Sequence, residues 1–260
     1  MIAAASDNET TVDAFLGGAL MLRQPRRGYR AGIDPVLLAA RCDALAGQRV
    51  LDCGSGIGTV GLCVARRLAG AQVVLVERDE TYARLAGANI AANGLGDRVR
   101  LVRADVTAPL SRSPELAALI GTFDHALANP PYHVDSDGTR SSELRKDAAN
   151  AMPEGSLDDW ARVLAAMLKP GGHMGMIHRA DALDRLLAVL DGRFGALSVL
   201  PLHPSADRPA NRIIISGQKG SRAPLSLRRG LIVHDAEGGY TAAIEAVLRA
   251  PSPLGENSGV

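Results

Sequence analysis

The chain has 260 residues, which at roughly 150 residues per domain allows one or two domains, and one large α/β domain fits equally well. Hydrophobic residues make up 47% and charged residues 22%, enough apolar material for a substantial core. Lys and Arg number 29 and Asp and Glu 28, a formal net charge of +1, which excludes a globally basic nucleic-acid binder or an acidic disordered chain but leaves room for a local basic patch. With only 3% aromatics, a wide base-stacking platform is excluded as well.

Residues 1–12 read as a flexible lead and 13–48 as a helical extension packed on the main domain. Within the extension, residues 23–30 (RQPRRGYR) hold Arg23, Arg26, Arg27 and Arg30 with no acid. Asp34 is placed to cap a helix starting at Pro35, with Val36, Leu37, Leu38, Ala40 and Leu45 as its packed face. From residue 49 strands and helices alternate: strand 49–53, helix 59–69, strand 72–77, helix 81–94, strands 98–105 and 123–132, helix 157–172, strand 173–178, helix 182–192. Two final strands, 196–202 and 212–217, have no helix between them. Such alternation predicts an α/β fold, a Rossmann-like doubly wound sheet of seven strands over residues 49–250. The sheet should be mostly parallel, with antiparallel final strands. Residues 251–260 read as a disordered tail. The polar stretch 133–156 is the size of loop that carries function. Cys42, Cys53 and Cys63 form no C-x-x-C pair, and the six histidines are scattered, so neither a disulfide framework nor a metal site is expected. Most of those histidines are expected at the surface or at strand ends. No apolar run reaches membrane length and the N-terminus lacks a signal-peptide pattern, so a cytoplasmic, monomeric protein is the expectation.

The segment LDCGSGIG puts a strand, a glycine turn and a helix in succession. Gly54, Gly56 and Gly58 remove Cβ atoms where the backbone turns and a ligand must approach. Glu77 ends the next strand, where a carboxylate accepts hydrogen bonds from ribose hydroxyls. A nucleoside-containing cofactor is expected at the carboxyl ends of the strands. The dinucleotide fingerprint G-x-G-x-x-G needs a glycine where Thr59 stands. The form here, G-x-G-x-G preceded by Asp52, resembles motif I of class I S-adenosylmethionine-dependent methyltransferases. That resemblance implies S-adenosyl-L-methionine as cofactor and gives Asp105, at the end of the third strand, the family's contact to the adenine amino group.

Asn129-Pro130-Pro131-Tyr132 falls where the fourth strand of the sheet ends, in the crevice where substrate meets cofactor. Two prolines stiffen the segment, which can hold the Asn129 side-chain oxygen and the Pro130 carbonyl as paired acceptors for one amino group. Tyr132 offers a flat face to a planar substrate. A conjugated NH2 is a weak nucleophile, and two fixed acceptors favour a pyramidal nitrogen with a developed lone pair. The tetrad resembles motif IV of methyltransferases that modify planar amino groups: adenine N6, guanine N2 in rRNA, or glutamine N5 in release factors. In that resemblance Asn129 also borders the cofactor.

Release-factor enzymes carry a helical domain before motif I, and only 48 residues precede Arg49 here. The segment Ile33-Asp34-Pro35-Val36-Leu37-Leu38-Ala39, with the basic-aromatic stretch before it, resembles the lead of the tRNA(Val) adenine-N6 methyltransferases. The resemblance spans about residues 15–250 and implies a tRNA substrate, methylated on an adenine next to the anticodon. Arg26, Arg27, Tyr29, Arg30, Tyr132 and His133 become the substrate-side candidates, although relatives often have Phe where His133 stands. A second basic segment, 219–229, with Lys219, Arg222, Arg228 and Arg229, and nearby Arg208 and Arg212, is a further candidate for phosphate contacts. A nicotinamide-dependent oxidoreductase and an inactive RNA-binding protein are the readings outside this class.

Overall fold

The computed structural model describes residues 9–28, 30–131 and 156–255. Strands β3 (Arg49–Cys53), β4 (Gln72–Glu77), β5 (Val99–Arg103), β6 (Phe123–Ala128) and β7 (Leu168–Arg179) are parallel. β9 (Arg212–Lys219) runs antiparallel to both β7 and β8 (Phe194–His203). The order across the sheet is β5-β4-β3-β6-β7-β9-β8. Two short strands, β10 (Ser226–Leu227) and β11 (Leu231–Ile232), pair with the far side of β8. These seven long strands and their antiparallel end are as the sequence predicts. Strand order reverses at β3, with β4 on one side and β6 on the other, and a crevice opens there at the carboxyl ends.

Alternation along each strand divides the core between the two faces of the sheet. Val50, Val73 and Leu75 pack towards α1 (Asp34–Ala40), α2 (Thr59–Arg67), α3 (Glu80–Ala92) and a final helix spanning Ala242–Arg249. Leu51, Cys53, Val74 and Val76 pack towards the helices Pro114–Ala117, Ser156–Met167 and Leu183–Leu190, labelled α4, α5 and α6, which makes Ala242–Arg249 α7. All three cysteines are buried free thiols, as expected of small core side chains. Helix α5 stops at Met167, short of the expected 172. Leu168 already pairs with Phe123, and the Lys-Pro-Gly-Gly stretch is absorbed as a register shift inside β7, with Gly171 at φ +75°.

The region before residue 49 departs from the expected helical extension. Residues 10–25 form an antiparallel hairpin, β1 (Thr10–Phe15) and β2 (Leu20–Pro25), turned through Gly17 and Gly18. Leu20, Leu22 and Gln24 alternate inward on β2, the period of a strand. Helix α1 is present but ends at Ala40, leaving Leu45 exposed. Asp34 lies in its first turn without capping it, and its carboxylate pairs with Arg212 Nε at 3.1 Å. At the other end, Leu254 is buried and its N–H donates to the Ala40 carbonyl, so the expected tail is docked as far as 255. His125 and His178 are buried rather than exposed, and His125 stacks on His173 with ring centroids 5.5 Å apart.

Candidate active site

Cys53 is in register with Val76 on one side and Ala128 on the other. The next residue on each strand is therefore Gly54, Glu77 and Asn129, three neighbours at one level of the crevice. Glu77 pairs with Arg103, the last residue of β5, so Asp105 stands two residues beyond that strand's end. Residues from Gly54 to Asn129 are brought to one edge by parallel pairing alone.

The three glycines do different work. Gly54 has φ +69°, and a Cβ there would meet the ring of Trp160 at 2.3 Å. Gly58 has φ +91°, and its Cβ would meet Leu75 at 2.9 Å. Gly56, φ +56°, has nothing within 4 Å of the same point, so only this one borders open space. Gly61, which the motif does not include, belongs with the packing pair: its Cβ would meet Leu75 at 2.3 Å, pressing α2 onto β4.

Each acid has a defined partner. Glu77 is buried and holds the loop, with Oε2 accepting from Gly56 N–H and Oε1 from Asp79 N–H, both at 2.7 Å. Asp105 Oδ1 accepts from the Thr107 amide and hydroxyl at 2.9 and 2.7 Å, and Oδ2 pairs with Arg78 at 3.3 Å. Partial burial alone would raise its pKa, but these bonds and the Arg78 charge hold it below the usual carboxylate value. Asp52 departs from expectation. It is 1% exposed beneath the loop, and its Oδ2 accepts from Gly61 N–H at 2.8 Å. Burial, with Glu77 adding to it and the Gly61 bond opposing, pushes its pKa up to about 7. Its contact is to the first turn of α2, so it supports the loop from below.

Asn129 is half-buried, Pro130 buried and Pro131 exposed. Tyr132, His133 and Tyr29 lie outside the described residues. Arg26 and Arg27 are exposed, and neither has a side-chain hydrogen bond or ion pair among the described residues. Arg30 differs: its guanidinium bonds Thr11, the Pro25 carbonyl and the Asp13 carboxylate, closing the base of the hairpin. The second basic segment divides in two. Lys219 pairs with Phe194 at the amino-terminal edge of the sheet, opposite the crevice, and its ammonium donates to the Leu168 carbonyl at 2.7 Å. Arg208 instead lies in the loop joining β8 and β9 at the carboxyl edge. The motifs miss Ser55, whose hydroxyl is buried in the loop with no partner among the described residues, and Asn89, which reaches the loop from α3. Among the described residues no group of His, Cys, Asp and Glu could hold a metal, and no helix is long and apolar enough to cross a membrane.

Residues 32–158 match the Methyltransferase small domain family. A crystal structure of a predicted O-methyltransferase from Agrobacterium tumefaciens superposes with a TM-score of 0.71 at 28% identity, covering 85% of this chain and 97% of that one. The sheet order, the glycine loop and these likenesses support a class I S-adenosylmethionine-dependent methyltransferase. Among curated relatives, the tRNA1(Val) (adenine(37)-N6)-methyltransferase of Dickeya chrysanthemi is 26% identical over 86% of this chain and 88% of its own length. The release factor glutamine methyltransferase of Gloeobacter violaceus is 34% identical, but over 60% of this chain and 55% of its own length. The corresponding tRNA enzyme of Bacteroides thetaiotaomicron is 32% identical over 60% of this chain and 62% of its length.

Proposed function

We propose that the protein transfers a methyl group from S-adenosylmethionine to N6 of an adenine in tRNA, next to the anticodon. The observation that carries this reading is the span of likeness. Similarity to the Dickeya tRNA enzyme extends over most of both chains, whereas similarity to the release-factor enzyme covers about half of the latter. The higher identity within that shorter match keeps glutamine N5 methylation as the second reading.

The residues present fit the cofactor. Gly56 leaves open space beside the loop, the Ser55 hydroxyl is an orphaned polar atom among the described residues, and Glu77 and Asp105 stand at and just past the ends of adjacent strands, where ribose and adenine need acceptors. In this reading Gly54, Gly56 and Gly58 shape the cradle, Glu77 accepts from the ribose hydroxyls, Asp105 accepts from the adenine amino group, and Asp52 braces the loop. When bound, S-adenosylmethionine supplies an electrophilic methyl group on its sulfonium. Asn129 and the Pro130 carbonyl accept the two N–H groups of the target, turning its lone pair towards that methyl group. The N–CH3 bond forms as the S–CH3 bond breaks, and the surplus proton leaves to water, so no strong base is required. By family resemblance the base-stacking role falls to Tyr132, with His133 and Tyr29 as further substrate-side candidates. Arg26 and Arg27 are the candidates for phosphate contacts, while Arg30 keeps the hairpin closed. A loop adenine needs little unstacking, which suits a chain with few aromatics.

Purified protein and labelled cofactor, offered bulk tRNA and release factor in parallel, test the reading. Label in tRNA supports it, and label confined to protein replaces it with the second.

A further inference from the structure

Asn89 in the last turn of α3 and Asn93, the residue capping its C-terminus, grip the same edge strand, β2. Asn93 Oδ1 accepts from Met21 N–H at 2.9 Å, and its Nδ2 donates to the Met21 carbonyl at 2.8 Å. Asn89 repeats this at Arg23, with Oδ1 accepting from N–H at 2.7 Å and Nδ2 donating to the carbonyl at 3.1 Å. Positions i and i+4 share a helix face and i and i+2 share a strand edge, so two carboxamides stand in for the neighbour that β2 lacks on that side. Each makes one further bond: Asn93 Nδ2 turns back to the Asn89 carbonyl at 2.8 Å, within its own helix end. Asn89 also donates to the carbonyl of Ile57, at 3.1 Å, between Gly56 and Gly58 in the cofactor loop.

We propose that Asn89 is a positioning residue through which the N-terminal hairpin holds the glycine loop in its cofactor-binding shape. The loop's glycines adopt left-handed backbone at 54, 56 and 58, where peptide planes rotate freely unless tied. Glu77 ties the plane before Gly56 through its N–H, and Asn89 ties the plane after Ile57 through its carbonyl. Asn89 is 1% exposed, so water does not replace a lost bond there. Its other anchor, Arg23, lies three residues before Arg26, so the exposed arginines and the cofactor loop are held by one side chain. The identity of the ligand rests on the methyltransferase reading; the acceptor substrate plays no part.

Calorimetry with S-adenosylhomocysteine, without RNA, compares wild type with Asn93→Ala, Asn89→Ala and Asn89→Asp. The aspartate is isosteric and keeps the acceptor for the Arg23 N–H while losing the donor to the Ile57 and Arg23 carbonyls, so it serves if the alanine variant does not fold. The expected result is roughly tenfold weaker binding for both Asn89 variants, with Asn93→Ala within about twofold of wild type. In turnover, KM for S-adenosylmethionine should rise for the Asn89 variants with kcat little changed. Equal loss of melting temperature for Asn89→Ala and Asn93→Ala, with unchanged affinity in the folded proteins, would overturn the proposal. A wild type that binds no S-adenosylhomocysteine would overturn the methyltransferase reading along with it.

Discussion

Asp52 and Glu77 are both acids of the cofactor region, yet they act in opposite directions. Glu77 reaches the loop from the end of β4 and shares its oxygens with two amides, leaving lone pairs on the crevice side for a ligand. Glu77→Gln should therefore weaken S-adenosylhomocysteine binding by about ten- to a hundredfold, read by calorimetry. Asp52 lies beneath the loop with its pKa raised from 3.8 to about 7. The folded protein keeps a proton that the unfolded chain has already released in this window, so this group's contribution to stability is full below the ordinary carboxylate value and is lost as pH rises towards 7. Asp52→Asn removes that dependence, and its denaturation midpoint should gain on wild type between pH 4 and pH 8. A constant difference across that range contradicts the assignment. Gly54 offers a third check: alanine meets Trp160 and must adopt φ +69°, which should cost about 1–3 kcal/mol in unfolding experiments. The positions of the glycines, Glu77 and Asn129 at or just past strand ends were legible from sequence because the apolar runs before them are plain, whereas β5 stops at Arg103, two residues short of Asp105. The Asp52 partner was not, since Gly61 N–H is reached only once α2 has folded back over β3.

At the scale of elements, the sheet was readable and the hairpin was not. Apolar runs of five or six residues separated by helical periods give the parallel strands directly, and a helix-free connection marks the antiparallel end. Residues 10–25 gave no comparable signal. Their outer edge is completed by Asn89 and Asn93, some 70 residues later in the chain, and nothing local records that pairing. The α7 helix was also passed over, although Ile244 and Val247 sit at helical spacing and are buried. In the proposed function the hairpin contributes to substrate binding, because it ends in the exposed pair Arg26 and Arg27. Replacing both with alanine should weaken tRNA binding and lower the slope of log affinity against log salt by roughly 1.5, the loss of two phosphate contacts. Replacing Lys219, whose ammonium donates to a carbonyl at the opposite edge, should leave that slope unchanged.

For the whole molecule, a net charge of +1 conceals a separation of charge. Glu77 and Asp105 stand at the crevice, while the exposed guanidinium groups of Arg26 and Arg27, unpaired among the described residues, stand at the end of the hairpin. Composition alone reports the sum and argues against nucleic acid; the fold distributes the terms. The site between them depends on Asn129, so Asn129→Ala should lower methyl transfer by about a hundredfold or more while S-adenosylhomocysteine still binds. The central claim is the identity of the acceptor atom. Nucleoside mass spectrometry of tRNA incubated with the protein and labelled S-adenosylmethionine tests it most directly. The account predicts labelled N6-methyladenosine; label on a guanine, or no labelled nucleoside, would contradict it.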